Sequence, residues 1–194
     1  MDEISHRRRS IRLRGYDYSQ EGTYFVTLCT QNREHLFGEI VEGKMELNAS
    51  GKNVADCWQQ IPCHFPDAEL DEWVVMPNHV HGIVVVAGTN TVGVKNFSPL
   101  QNSPQCPHQH PTGTSQTIGS IVRGFKIGVT KWYRQQSIDS IIWQRNYWEH
   151  IVRNEIEMDS IRHYIVNNPE KWETDQLNHL MVDPDEDHQD DGGW

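Results

Sequence analysis

Trp73-Val74-Val75-Met76-Pro77-Asn78-His79-Val80-His81-Gly82-Ile83-Val84-Val85-Val86 is the stretch on which the fold turns. Its β-branched runs on either side of Pro77-Asn78 read as two strands, 69–76 and 79–86, joined by a tight turn. Side chains alternate along a strand, so His79 and His81 share one face while Val80 points into a core on the other. Two imidazoles on one face of a rigid strand form half of a metal site; the same spacing also suits histidines that merely alternate.

Upstream, Thr23-Tyr24-Phe25-Val26-Thr27-Leu28-Cys29-Thr30 reads as a first strand, and 37–47 as a short hairpin turning at Glu42-Gly43. From 49 to 61 the period changes to that of a helix, with Val54, Cys57 or Trp58, and Ile61 on one face, and Pro62 is expected to stop it. Downstream, residues 88–117 are dominated by Gly, Pro, Ser, Thr, Asn and Gln, which marks a flexible insertion. Within it, Cys106-Pro107-His108-Gln109-His110 only superficially resembles a metal tract.

A long helix is predicted over 117–134, burying Ile118, Ile121, Val122, Phe125, Val129 and Trp132. Ser140-Ile141-Ile142-Trp143 reads as one more strand. The last helix opens at Asn154, with Glu157 three residues on as an approximate capping box. It buries Met158, Ile161 and Ile165 and ends before Pro169. Hairpin-linked strands with helices between them predict an α+β domain: a ferredoxin-like or RRM-like antiparallel sheet with helices packed on one face.

The 194 residues suit one domain, and an apolar content of 36% is low for the length. A mean hydropathy of −0.69 agrees with part of the chain staying solvated. No run approaches the roughly 18 apolar residues of a membrane span, and the start lacks a signal-peptide pattern. Four scattered cysteines without a C-x-x-C pair suit a reducing compartment, so a soluble, cytoplasmic protein is expected. The net charge of −10 is unevenly spread: residues 170–194 hold nine acids and one lysine. Residues 1–15 form a basic arm with Arg7, Arg8, Arg9, Arg12 and Arg14, and a second basic group includes Arg123 and Lys126. The charge map thus permits a basic face with an acidic tail from 173 to 194, and equally an ordinary mixed surface.

On the last helix Tyr164 and Asn168 lie four residues apart, one turn along the same face. A tyrosine hydroxyl with a polar amide nearby can be a nucleophile beside a metal ligand; a ring at the core boundary above a helix cap has the same spacing. Tyr133 and Tyr147 are other tyrosines to weigh, one near the end of a basic helix and one in an aromatic stretch.

Taken together, these motifs resemble the REP-associated tyrosine transposases, members of the single-tyrosine HUH transposases. The resemblance spans about residues 16–172 outside the insertion. It rests on Gly22-Thr23-Tyr24-Phe25-Val26-Thr27, on the Trp73–His81 stretch, and on Arg123-Gly124-Phe125-Lys126. It continues through residues 143–153, Trp143-Gln144-Arg145-Asn146-Tyr147-Trp148-Glu149-His150-Ile151-Val152-Arg153, and closes with Tyr164-Ile165-Val166-Asn167-Asn168-Pro169.

The resemblance implies a metal-dependent single-stranded DNA endonuclease and strand transferase working on hairpin or repeat DNA. Tyr164 would be the nucleophile, with His79, His81 and Asn168 holding Mg²⁺ or Mn²⁺. Arg7, Arg8, Arg9, Arg12, Arg14, Arg123 and Lys126 are candidates for phosphate contacts, because backbone neutralisation dominates DNA affinity. Glu149 and His150 match motif positions and receive no role. The chain would act as a monomer or a homodimer. An idle repeat-DNA-binding protein of the same fold is the alternative reading, and a small metal hydrolase unrelated to DNA a weaker one.

Overall fold

The computed structural model describes residues 21–87 and 117–178. The arginines of the basic arm, residues 88–116 of the 88–117 insertion with its Cys106-to-His110 tract, and residues 179–194 lie outside the described residues. Strand β1 (Gly22–Cys29) leads through a 3₁₀ turn to a hairpin of β2 (Gly38–Val41) and β3 (Lys44–Leu47). Helix α1 (Ala49–Gln59) and the short α2 (Ile61–His64) follow. Next come β4 (Ala68–Met76), β5 (His79–Val86), α3 (Ile118–Gln135), β6 (Trp148–Val152) and α4 (Glu155–Val166). A 3₁₀ segment, Pro169–Thr174, carries the chain on.

The hairpin turns where expected. Glu42 and Gly43 both have positive φ, 49° and 73°, the backbone that a two-residue turn between right-twisted strands requires. Pro62 does not end the helical path: it sits in the first turn of α2, where its missing N–H would be unpaired in any case.

The main sheet is antiparallel, in the order β4-β5-β1-β6. Counting only its strands and the long helices α1 and α3, the order is β-α-β-β-α-β, the ferredoxin-like arrangement predicted. The even-numbered side chains of β1 and β5 form one face. Tyr24, Val26, Leu28, Val80 and Val84 pack there against Val54 and Trp58 of α1 and Ile121, Phe125 and Val129 of α3. The odd-numbered face is covered by α4, through Phe25, Ile83, Met158 and Ile165. Helices sharing one face therefore describes α1 and α3; α4 lies on the reverse.

The segment Ser140–Trp143 is not a ladder strand. It makes a single bridge, Thr30 to Trp143, with Gln31 N–H donating to the Ile142 carbonyl at 2.8 Å. Ile142 and Trp143 are buried while Ile141 is exposed. The apolar segment read as a strand only seals the end of β1, and the edge strand comes five residues later.

Gly82 marks a close approach. A Cβ at this position would collide with the Trp58 indole, which is buried and edge-on to Phe125. Gly82→Ala should lower unfolding stability by about 1–3 kcal/mol despite alanine's better strand propensity, because the core has to shift. Urea unfolding checks this as a lower midpoint at unchanged slope.

Candidate metal and nucleophile site

The odd-numbered face carries the site. Antiparallel pairing sets Thr27 opposite His81, and Cys29 opposite His79. Thr27 also faces Trp148 across β6. Both histidines are almost fully buried, at 0% and 2% exposure, with ring centroids 4.4 Å apart.

Helix α4 crosses this face because both its start and its side are anchored. Asn154 caps it by accepting from Glu157 N–H at 2.9 Å, as its sequence predicts. Glu157 in turn accepts from Arg153 N–H at 2.8 Å and pairs with His150 at 2.7 Å. Farther along, Arg162 makes a two-pronged pair with Asp71: Nε and Nη2 each donate at 2.8 Å. Asp71 lies where the β4–β5 register shifts, between Leu70 and Trp73. That irregularity aims the carboxylate at the helix.

The Arg162 guanidinium, aided by Glu72 N–H, holds the Asp71 carboxyl below its ordinary value. The stabilisation is therefore full above the unfolded-state pKa near 4 and is lost as pH falls through the lower folded value. Asp71→Asn should cost about 1 kcal/mol at pH 7, and its thermal midpoint should fall less than the parent's between pH 4 and pH 2.5.

The helix brings Tyr164 to the histidines. Its hydroxyl oxygen is 3.2 Å from His81 Nε2, and its ring stands edge-on to Phe25. Asn168, one turn on, is 1% exposed. Its Nδ2 donates to Asp175 Oδ2 at 3.0 Å, while its Oδ1 has no hydrogen-bond partner among the described residues. Asp175 was not among the residues singled out in the sequence. Its other oxygen accepts from Leu177 N–H at 2.7 Å, so the first residues assigned to the acidic tail are folded against the site.

His79, His81 and Asp175 each offer one ligand atom, all within 4.8 Å of one another, and could hold a metal ion. The proton inventory suits this. Asn78 Nδ2 donates to the carbonyls of Arg33 (3.1 Å) and Leu177 (2.7 Å), which fixes the amide's orientation. Asn78 Oδ1 must then accept from His79 Nδ1–H at 2.7 Å. His79 Nε2 is left as a bare lone pair, buried and without a partner among the described residues. A buried acceptor of this kind is what a cation satisfies, and Asn78 would be the outer group that orients His79 toward one. On His81, Nδ1 bonds the Thr27 hydroxyl at 2.9 Å, and Nε2 faces Tyr164.

Burial pushes His81 down to about 4, the Asp175 carboxylate working the other way. Burial, then the neighbouring His81, holds His79 well below its usual value. Both rings are thus neutral at pH 7, as metal ligands must be. Tyr164 moves upward: burial raises its pKa, the Asp175 carboxylate adds to the rise, and Asn168 opposes it.

The other sequence candidates lie elsewhere. Tyr133 is buried and bonded to Ser50, and Tyr147 packs on the main core. Arg123 and Lys126 belong to α3, on the face away from α4, and line a separate cleft of about 1030 Å³ with Lys131, Arg134 and Arg145. Lys126 is committed there: Nζ donates to the carbonyls of Gln144 (2.8 Å) and Asn146 (3.1 Å), and burial lowers it to about 8.

No family model matches the chain. An uncharacterized protein of Haemophilus influenzae (strain ATCC 51907 / DSM 11121 / KW20 / Rd) is 51% identical over 173 residues, covering 89% of this chain and 93% of that protein. The solved structure of a REP-associated tyrosine transposase bound to a REP hairpin shares the fold, with a TM-score of 0.54 at 21% identity, over 84% of this chain and 73% of that one. A second Haemophilus influenzae protein, described as a candidate REP-associated tyrosine transposase, is 23% identical over 155 residues, 80% of this chain and 74% of that protein. The chain belongs to one family with the 51%-identical Haemophilus influenzae protein, and it shares its fold with the REP-associated tyrosine transposase. No helix among the described residues is long and apolar enough to cross a membrane.

Proposed function

We propose that the chain is a metal-dependent single-stranded DNA endonuclease and strand transferase that acts on hairpin or repeat DNA through a 5′-phosphotyrosine at Tyr164. The observation that carries this reading is the Tyr164 hydroxyl 3.2 Å from His81, on the sheet face where His79, His81 and Asp175 converge. The solved relative bound to a REP hairpin supports the choice of DNA as partner.

In this reaction the Tyr164 oxygen forms a bond to phosphorus, the bond to the 3′ oxygen breaks, and a 3′-hydroxyl leaves with a proton. The new ester keeps the energy of the broken one, so a second 3′-hydroxyl can reverse the step without ATP. Burial and Asp175 both oppose ionisation of the phenol. A cation at the His79–His81–Asp175 group would supply the positive charge that offsets this and stabilises the scissile phosphate. His79, His81 and Asp175 would hold it, and Asn168, bonded to Asp175, would orient that carboxylate or lend its own free oxygen. Imidazole nitrogens favour Mn²⁺ over Mg²⁺, and the carboxylate keeps both within reach. Arg123, with Lys131 and Arg134, would contact phosphates away from the nick, as would the arginines of the basic arm.

The test is incubation with labelled hairpin DNA and Mn²⁺, followed by a denaturing gel. A covalent protein–DNA adduct is expected. Binding without any adduct would favour the idle repeat-binding protein, and neither binding nor adduct would remove DNA as the substrate.

A further inference from the structure

Beside the nucleophile stands an aromatic ring that the chemistry above does not use. Trp148 opens β6, opposite Thr27 and on the same face as His81. It is 45% exposed, although Phe25 lies edge-on against it with centroids 5.5 Å apart. The ring is not loose. His150, two residues on, lies parallel to it at 8° and 5.9 Å, and the Glu157 carboxylate holds that imidazole at 2.7 Å. Glu157 is itself fixed in the first turn of α4, so the helix that carries Tyr164 also sets the angle of the indole. Trp148 and Tyr164 line one cleft of about 910 Å³, with Lys171 in its wall. Strand β6 is the outer strand of the sheet, so the ring is reached from the side without displacing another strand.

We propose that Trp148 is a stacking platform for an unpaired nucleobase next to the scissile phosphate, with the Phe25 edge as its floor and the His150–Glu157 pair as its brace. This rests on the reading of the chain as a single-strand DNA nickase. A strand entering the cleft must present its phosphate to the Tyr164 hydroxyl, and the flanking base then needs an apolar surface once its own neighbours are unstacked. An exposed indole offers that surface to any base, because every base has a π-face. The platform therefore positions a nucleotide and selects single strand over duplex, in which the same base is already stacked. Trp148 is a positioning residue and touches no reacting atom.

The experiment compares the full chain with Trp148→Ala and Trp148→Phe by fluorescence anisotropy, without added metal. The probes are labelled (dA)₁₂, (dT)₁₂ and a twelve-unit abasic strand with the same phosphates. Trp148→Ala should weaken binding of (dA)₁₂ by about tenfold and of (dT)₁₂ by less, with Trp148→Phe in between. The abasic strand should bind all three proteins alike. Equal losses on the abasic strand, or no loss on (dA)₁₂, overturns the platform; thermal midpoints within a few degrees of the parent's show that the variants are folded. The outcome is separable from that of the nickase reading. Base-dependent binding without a covalent adduct keeps the platform and removes the nickase, and an adduct without base-dependent binding does the reverse.

Discussion

Tyr164→Phe should abolish the covalent adduct with hairpin DNA, by a thousandfold or more on a roughly logarithmic scale of yield, while leaving the fold in place. The substitution removes one oxygen. The ring keeps its edge-on contacts with Phe25 and His81, at centroid distances of 6.0 and 5.2 Å. The lost hydrogen bond to His81 is long and half-exposed, so the stability change should stay near 0.5–1 kcal/mol. DNA affinity should hold for the same reason. An adduct that survives the substitution would dismiss Tyr164 as the nucleophile. Tyr133 and Tyr147 would not be ready substitutes, since Tyr133 is buried in the main core and Tyr147 packs against that same core, away from the histidines.

The second large effect concerns the metal. His79→Ala should weaken Mn²⁺ binding, followed by calorimetry or by the electron-spin signal of free Mn²⁺, by about a hundredfold or more. The comparison is with groups that only orient a ligand, whose loss costs about 10–100-fold. Asp175→Asn keeps the volume and removes the charge, so it should weaken binding as well, and it guards against the objection that His79→Ala disturbs a buried site. Both variants should lose adduct formation, and EDTA should abolish it in the parent until Mn²⁺ is restored. Persistence in EDTA, or unchanged Mn²⁺ affinity in both variants, would remove the cation from the reading.

Much of the layout was legible because local chemistry and tertiary packing agree. The strands on either side of Pro77-Asn78, the Glu42-Gly43 turn and the Asn154 cap each follow from residues whose preferences match their surroundings. The alternation of His79 and His81 and the helical spacing of Tyr164 and Asn168 gave the two halves of the candidate site, and the structure places Tyr164 beside His81 on one sheet face. Misreadings arose where a local pattern had a non-local use. Ser140–Trp143 looks like a strand because Ile142 and Trp143 are buried, yet it meets β1 at one bridge only. Glu149 and His150 lie in the true edge strand, whose polar residues masked its period. Lys126 was chosen for its charge, and what the basic run did not indicate is that its Nζ donates to two carbonyls.

Asp175 carries no signal of its own, standing in an acidic stretch past a helix-ending proline. The usable clue was Trp172, a large apolar residue just before it. That indole is buried with its ring 5.9 Å from His79, and it draws the chain that follows toward the histidines.

The parity of the sheet has a consequence for how sequence change is felt along the chain. Positions 25, 27, 29, 79, 81 and 83 face α4 and the histidine cleft, whereas 24, 26, 28, 80, 82 and 84 face the large core under α1 and α3. Two kinds of constraint are thereby interleaved residue by residue. A mutational scan through either strand would not divide it into a functional end and a structural end. It would trace a sawtooth, with lost chemistry and lost solubility alternating at each step, and a one-residue slip of register would exchange the two at every position simultaneously.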